Sequence, residues 1–164
     1  MIDAMPNVLK KLPECRCVIV GGPFASEPGY GGELRDQVKR LNLGGHVIFA
    51  GERQDIPNWV RAFDVFVHAS QSEPFGIVVI EALAAGTPVI SFAPSGVASI
   101  LRELPSCIVL ESRDAKPLAG AIETTLRSNF TDQAQLVSMA SRYSDREFKN
   151  RMELAIRGVI EEAG

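Results

Sequence analysis

Cysteine is scarce and odd in number. The three residues, Cys15, Cys17 and Cys107, have neither the spacing of a zinc site nor the even count of a disulfide frame, and fit buried thiols in a reducing cytoplasm. No apolar run reaches the roughly 20 residues of a membrane-spanning helix. Met1 to Leu12 lacks the basic start and apolar block of a secretory signal. Neither charge sign dominates. A net charge of −3 gives no bulk attraction to nucleic acid or anionic lipid. There is no internal repeat, no low-complexity tract and no Gly-x-Gly-x-x-Gly fingerprint. What remains is an ordinary globular composition, 46% hydrophobic and 23% charged over 164 residues. That length suits one domain spanning 1–164.

The apolar pattern alternates between two periods. Cys17-Val18-Ile19-Val20, Val47-Ile48-Phe49-Ala50, Val65-Phe66-Val67, Val89 to Phe92 and Cys107 to Leu110 are short continuous runs, several of them closed by glycine. Such runs suit parallel strands covered on both faces. Between them the spacing is helical. Ile2, Met5, Val8, Leu9 and Leu12 mark a first helix, with Asp3 as a candidate cap and Pro6 in its first turn. Phe24 to Gly32 reads as a Gly-, Pro- and Ser-rich loop, either a phosphate cradle or a plain surface loop. Leu34, Val38 and Leu41 mark the next helix. Asp55 and Pro57 open a short one bearing Trp59, Val60 and Phe63. Leu118, Ile122 and Leu126 mark another, and Leu136, Val137 and Ala140 a further short one. Ser144-x-x-Glu147 is a capping-box pattern before a last helix through Phe148, Met152, Ala155, Ile156, Val159 and Ile160. The expectation is an α/β fold: a doubly wound, Rossmann-like parallel sheet of about five strands flanked by helices. Ligands of such sheets bind beyond the carboxyl ends of the strands.

One stretch at that edge stands out, Ser72 to Ile90. It reads as strand end, acidic turn, Gly-opened helix, glycine stop at Gly86, Pro88 and strand. Its helix starts around Phe75 and Gly76 and lacks a broad polar face, so it is expected to be buried. Glu81 is the odd residue, since a buried carboxylate is unfavourable without a hydrogen-bond partner. Either the protein supplies that partner or a ligand does. The first backbone N–H groups of the helix, with its dipole, make an anion site, and Gly76 lets a bulky anion approach the backbone. A second-turn carboxylate beside them suits a vicinal diol such as a ribose. Glu73, before the helix, could accept from another polyol. The structural alternative is that Glu73 caps the helix and Glu81 bonds a neighbouring strand.

The stretch resembles the signature of the retaining glycosyltransferases of family 4, which have the GT-B fold: a Glu, seven residues, a second Glu, then Ala-x-Ala-x-Gly-x-Pro-Val. The runs Val18 to Pro23, Val47 to Gly51 and Ala62 to Ser70 are similar, in order and spacing, to strands of that family's donor domain. The likeness extends from about Ile2 to Ile160. It implies that Glu81 binds the nucleotide ribose and that Glu73, the candidate catalytic residue, contacts hydroxyls of the donor sugar. Backbone amides of Gly76, Ile77 and Val78 would hold the distal phosphate, with Phe75 at the head of the same helix. Arg53, in Gly51-Glu52-Arg53, would lie near the base or phosphates, or else be a solvated surface arginine. Ser95-Gly96 stands where many members have two glycines, and a ligand role there is weaker. His68 reads as a strand-end residue rather than a catalytic base. The sequence has no Asp-x-Asp, in keeping with a family chemistry that uses no metal, so the expected ligand is a nucleoside-diphosphate sugar, with no cofactor.

Against that family pattern, the acceptor-binding half and the first donor-domain strand are not matched. The resemblance therefore implies a donor-binding part, inactive in transfer by itself. A non-catalytic nucleotide-binding module acting through a partner chain is the alternative, and an epimerase-like relative a more distant one. A strand missing from inside the sheet would leave an exposed edge. That edge predicts a partner subunit, a separate N-terminal acceptor domain or self-association. No nucleic-acid partner and no transmembrane segment are expected.

Overall fold

Short apolar runs and the turns that close them define the strands of this chain. The computed structural model describes residues 1–22, 29–70, 76–128 and 132–144. A 3₁₀ turn, Ile2–Ala4, runs into helix α1, Met5–Leu9, with Pro6 in its first turn, where a missing N–H leaves no gap in the ladder. Asp3 does not cap it; its carboxylate accepts a hydrogen bond from Gln37 Nε2 at 2.6 Å. Strand β1, Cys17–Val20, is followed by helix α2, Tyr30–Arg40, and strand β2, Val47–Gly51. The loop expected through Gly32 is shorter than the sequence suggests. Tyr30, Gly31 and Gly32 form the first turn of α2, where Glu33 complements the helix dipole.

Helix α3, Ile56–Arg61, starts after Asp55, whose carboxylate accepts from Trp59 Nε1 at 3.2 Å and caps no backbone amide. Strand β3, Phe66–Val67, leads towards helix α4, Ile77–Ala84, and strand β4, Val89–Phe92. Helix α4 stops in a Schellman turn: Gly86 has φ +76°, its N–H donates to Leu83 O, and Thr87 N donates to Ala82 O, both at 3.0 Å. Helix α5, Ala98–Arg102, strand β5, Ile108–Leu110, and helices α6, Ala115–Arg127, and α7, Gln133–Ser141, complete the described chain. Asp132 caps α7 by accepting from Gln135 N at 3.0 Å. The last helix expected after Ser144 lies outside the described residues.

All strand pairings are parallel, but among the described residues they form two sheets, β2–β1 and β3–β4–β5. Both lie over one core. Cys17 and Val47 enter it from the first sheet and Ile90 and Phe92 from the second, against Met5, Val8, Leu118 and Ile122 of α1 and α6. A second core joins Val79 and Leu83 of α4 to Val97, Leu101 and Leu136. Strand β4, paired on both sides, has Val89, Ile90, Ser91 and Phe92 at 0–3% exposure. Strand β1 is equally apolar yet mostly half-buried, and its Val18 and Val20 join neither core. The expectation that its continuous apolar run is covered on both faces is therefore not met; among the described residues β1 also hydrogen-bonds only β2, and its other edge is unpaired.

The three thiols are free. Burial pushes Cys17 and Cys107 up to about 11. Cys15 is raised as well, by burial first and then by the nearby Asp64 carboxylate.

Candidate functional site

The carboxyl ends of the five strands carry the loops beginning at Gly21, Glu52, His68, Ala93 and Glu111. Helix α4 starts at this edge. Gly76, just ahead of it, has φ +73° and ψ +53°, the left-handed region that glycine occupies without strain. A Cβ there would also stand 3.0 Å from Val97 Cγ1. Val97 is 1% exposed, so the loop after β4 packs closely against Gly76. The first amides bonded within the helix are Val79 N, to Gly76 O at 2.8 Å, and Ile80 N, to the same oxygen at 3.4 Å. The N–H groups of Ile77 and Val78 precede that ladder and, with no partner among the described residues, can face an anion. No acidic side chain occupies the first turn.

Glu81 corrects the sequence reading. Helix α4 is not buried all round: Val79, Ala82 and Leu83 are at 0% exposure, whereas Ile77 is 65% exposed and Glu81 and Ala84 are open to solvent. Residues four apart share a face of a helix, so Ile77 and Glu81 form one open stripe behind the free amides. Among the described residues Glu81 makes no hydrogen bond and no ion pair. It does not bond a neighbouring strand. The carboxylate needs no protein partner because it is not buried, and both its oxygens can accept.

The other expected residues are placed less uniformly. Glu73 and Phe75 lie outside the described residues. Arg53 follows β2, in the other sheet, and its guanidinium sits 5.1 Å above the Trp59 ring. The residue is exposed at the carboxyl edge. His68 is 5% exposed. Its N–H extends the β3–β4 ladder to Ile90 O at 2.9 Å, and its Nδ1 lies 3.4 Å from Ser91 Oγ. It is a strand-end residue. Ser95 Oγ is buried at the same edge, with no hydrogen-bond partner among the described residues.

Arg113, just beyond β5, is a residue that sequence reasoning passed over. Its guanidinium reaches across the strand ends to Ala69 O and Ser70 O. An arginine in the loop after a strand, at a carboxyl edge, was the available signal. A cavity of about 740 Å³ lies elsewhere, lined by Arg61 to Asp64, Ala85 to Pro88, Thr125, Leu126, Ser128 and Gln133. It opens at the amino ends of β3 and β4, the edge opposite Gly76, so it is not the candidate site. Among the described residues no group of three or more His, Cys, Asp or Glu could hold a metal ion, and no helix is long and apolar enough to cross a membrane.

Comparison with known proteins agrees with this geometry. The model of the glycosyl transferases group 1 matches residues 1–143. D-inositol 3-phosphate glycosyltransferase of Mycobacterium marinum is 33% identical over 141 residues, which are 85% of this chain and 30% of that enzyme. The chain thus spans about a third of the length of such curated relatives. The crystal structure of Anabaena HepE in complex with UDP superposes with a TM-score of 0.84 at 28% identity, covering 96% of this chain and 44% of that one. The C-terminal domain of a glycosyl transferase group 1 protein from Francisella tularensis superposes with a TM-score of 0.77 at 24% identity, covering 88% of this chain and 77% of that one. The matched region is the C-terminal half of a GT-B fold.

Proposed function

This chain belongs to the glycosyl transferases group 1, and we propose that it is the donor-binding half of a retaining glycosyltransferase, holding a nucleoside-diphosphate sugar for transfer to an acceptor. The observation that carries the reading is the open stripe of α4: an exposed Glu81, unpaired among the described residues, behind the amides of Ile77 and Val78, which have no partner among the described residues, and next to a left-handed Gly76. A diphosphate meets those amides and the positive end of the helix dipole. The Glu81 carboxylate then accepts from the two ribose hydroxyls. Glu73, and with it Phe75 at the helix head, would face the donor sugar, and Arg53 the base or phosphates. HepE, solved with UDP and with UDP-glucose, supports a ligand of this class.

The chemistry this arrangement can supply is electrostatic. As the glycosidic bond breaks, negative charge grows on the leaving diphosphate, and preorganised amides at the α4 head stabilise it. The proposal therefore needs no metal and no cofactor. The cell's nucleotide-sugar pool and the three free thiols suit a cytoplasmic location.

The unpaired edge of β1 favours a second element of the reading. Acceptor binding and transfer require a further unit, an N-terminal acceptor domain or partner subunit, and in its absence the open edges associate with each other. If no transfer occurs in any assembly, a nucleotide-binding module acting through a partner chain is the alternative.

Equilibrium binding and turnover assays with UDP-, GDP- and ADP-glucose test the proposal. One of the three is expected to bind without being consumed. Binding of none contradicts the donor site, and turnover by these 164 residues contradicts the need for a second unit. Sedimentation of the same preparation should show self-association, and a strictly monomeric chain removes the edge contact.

A further inference from the structure

The two sheets end in edges that match. At the two ends of β1, Cys17 N and Gly21 N donate to His46 O and Gly51 O on the β2 side, at 2.8 and 2.9 Å. Around β3, Phe66 N and His68 N donate to Pro88 O and Ile90 O on the β4 side, both at 2.9 Å. Alternate residues of a parallel strand bond to opposite sides. The N–H and C=O groups of Val18 and Val20 therefore point away from β2, and those of Val67 point away from β4. Neither set has a partner among the described residues, where β1 pairs only with β2 and β3 only with β4.

Both edges belong to strands that pack on one core. Cys17 and Ile19 of β1 and Val67 of β3 all reach it, with Val65 just ahead of β3, against α1 and α6. The two strands also start side by side. The Cys15 thiol, two residues before β1, is raised by burial and then by the carboxylate of Asp64, which stands two residues before β3. Yet β1 and β3 do not pair with each other. Val18, Val20 and Val67 are half-buried, and backbone groups withdrawn from water are nearly always paired. Two half-ladders of the same direction thus stand open over a shared core.

We propose that an extended apolar segment of a partner polypeptide adds as a parallel strand between β1 and β3, and joins the two sheets into one. Its backbone pairs with Val18 and Val20 on one side and with Val67 on the other. Its alternate side chains meet Ile19 and Val67 on the core face. On the opposite face they meet Val18 and Val20, which join neither core. A segment that fits is apolar on both faces, rich in β-branched residues and free of proline, which lacks the N–H that one of the two ladders needs. The β1 edge of a second copy does not fit the slot. It brings β2 with it, so it can pair with one edge but cannot enter between two. This inference rests on the reading of the β1 edge as open to another unit, and names what that unit offers.

The probe is a capped peptide of the β4 sequence, Val89 to Ala93, flanked by two lysines at each end. That strand of this chain already pairs in parallel on both sides. Two further versions carry an N-methyl group at the Ile90 or at the Ser91 position. Each is titrated into the 164-residue chain, with amide exchange followed residue by residue in NMR spectra. The unmodified peptide is expected to bind one to one and to slow exchange at Val18, Val20 and Val67 by about tenfold or more. Both N-methyl peptides should bind about tenfold more weakly, because successive residues bond to different neighbours and each lost N–H leaves a carbonyl unpaired. Slowed exchange at one edge only, with only one methyl version weakened, overturns the inference in favour of simple edge addition and leaves the open edge standing. Absence of binding overturns it as well. Sedimentation then separates the two readings: a self-associating chain keeps the open edge, and a monomer removes it together with the inference.

Discussion

Strands β1 and β4 have the same length and nearly the same apolar content, yet they live in different surroundings. β4 has a parallel neighbour on each side and its residues are at 0–3% exposure. β1 has one neighbour among the described residues, and only Cys17 of its four residues is buried. The burial of a strand therefore follows from what flanks it as much as from its own residues. The consequence extends to function. Helix α4, Gly76, Glu81 and Arg113 all belong to the three-stranded side. Of the expected ligand residues only Arg53 comes from the two-stranded side, and it rests on Trp59.

The largest expected effect breaks this comparison directly. Ile90→Ala should destabilise by about 3–4 kcal/mol, because a fully buried side chain leaves a cavity. Ile19→Ala, in half-buried β1, should lose about half as much. Midpoints of urea unfolding at constant slope measure both. Equal losses would show that β1 is covered as well as β4.

Gly76→Ala comes next. Its left-handed φ of +73° and the 3.0 Å approach to Val97 together should remove about 1–2 kcal/mol. The helix head would shift with it and nucleotide affinity would fall. Unchanged thermal stability would mean that the loop after β4 yields easily.

A third expectation uses one thiol on each side, Cys17 in β1 and Cys107 ahead of β5. Both are raised from 9.0 to about 11 by burial. The folded state keeps these protons where the unfolded chain has lost them. The resulting stability is fully present below pH 9 and is lost as pH rises through about 11. Cys17→Ala and Cys107→Ala should each flatten the decline in unfolding free energy across that window. A decline that neither variant changes would assign it to other groups.

Much of this was legible in the chain. Five short apolar runs locate five strands, because a strand covered on both faces admits few polar residues. Glu81 stands out because nothing around it is polar. What the pattern concealed was its exposure. A helix of Val, Ile, Leu and Ala reads as buried all round, whereas Ile77 and Glu81 share a face left open. The tripeptide Tyr30-Gly31-Gly32 reads as loop, because glycine disfavours helix interiors, yet a first turn tolerates it. Arg113 was missed because a cation after a strand reads as solvated. Its partners are backbone carbonyls more than forty residues away in sequence, and composition carries no trace of such a contact.

The smallest expected effect on stability accompanies the most direct test of the site. Glu81 is exposed and unpaired among the described residues, so Glu81→Gln should change unfolding free energy by less than about 0.5 kcal/mol. Calorimetric titration of the wild-type and Glu81→Gln chains with UDP, GDP and ADP isolates the ribose contact. The account predicts that one diphosphate binds the wild-type chain and binds the variant about tenfold more weakly, the loss expected for hydrogen bonds to a charged acceptor. Equal affinity in the two chains, or no binding of any diphosphate by the wild type, would contradict it.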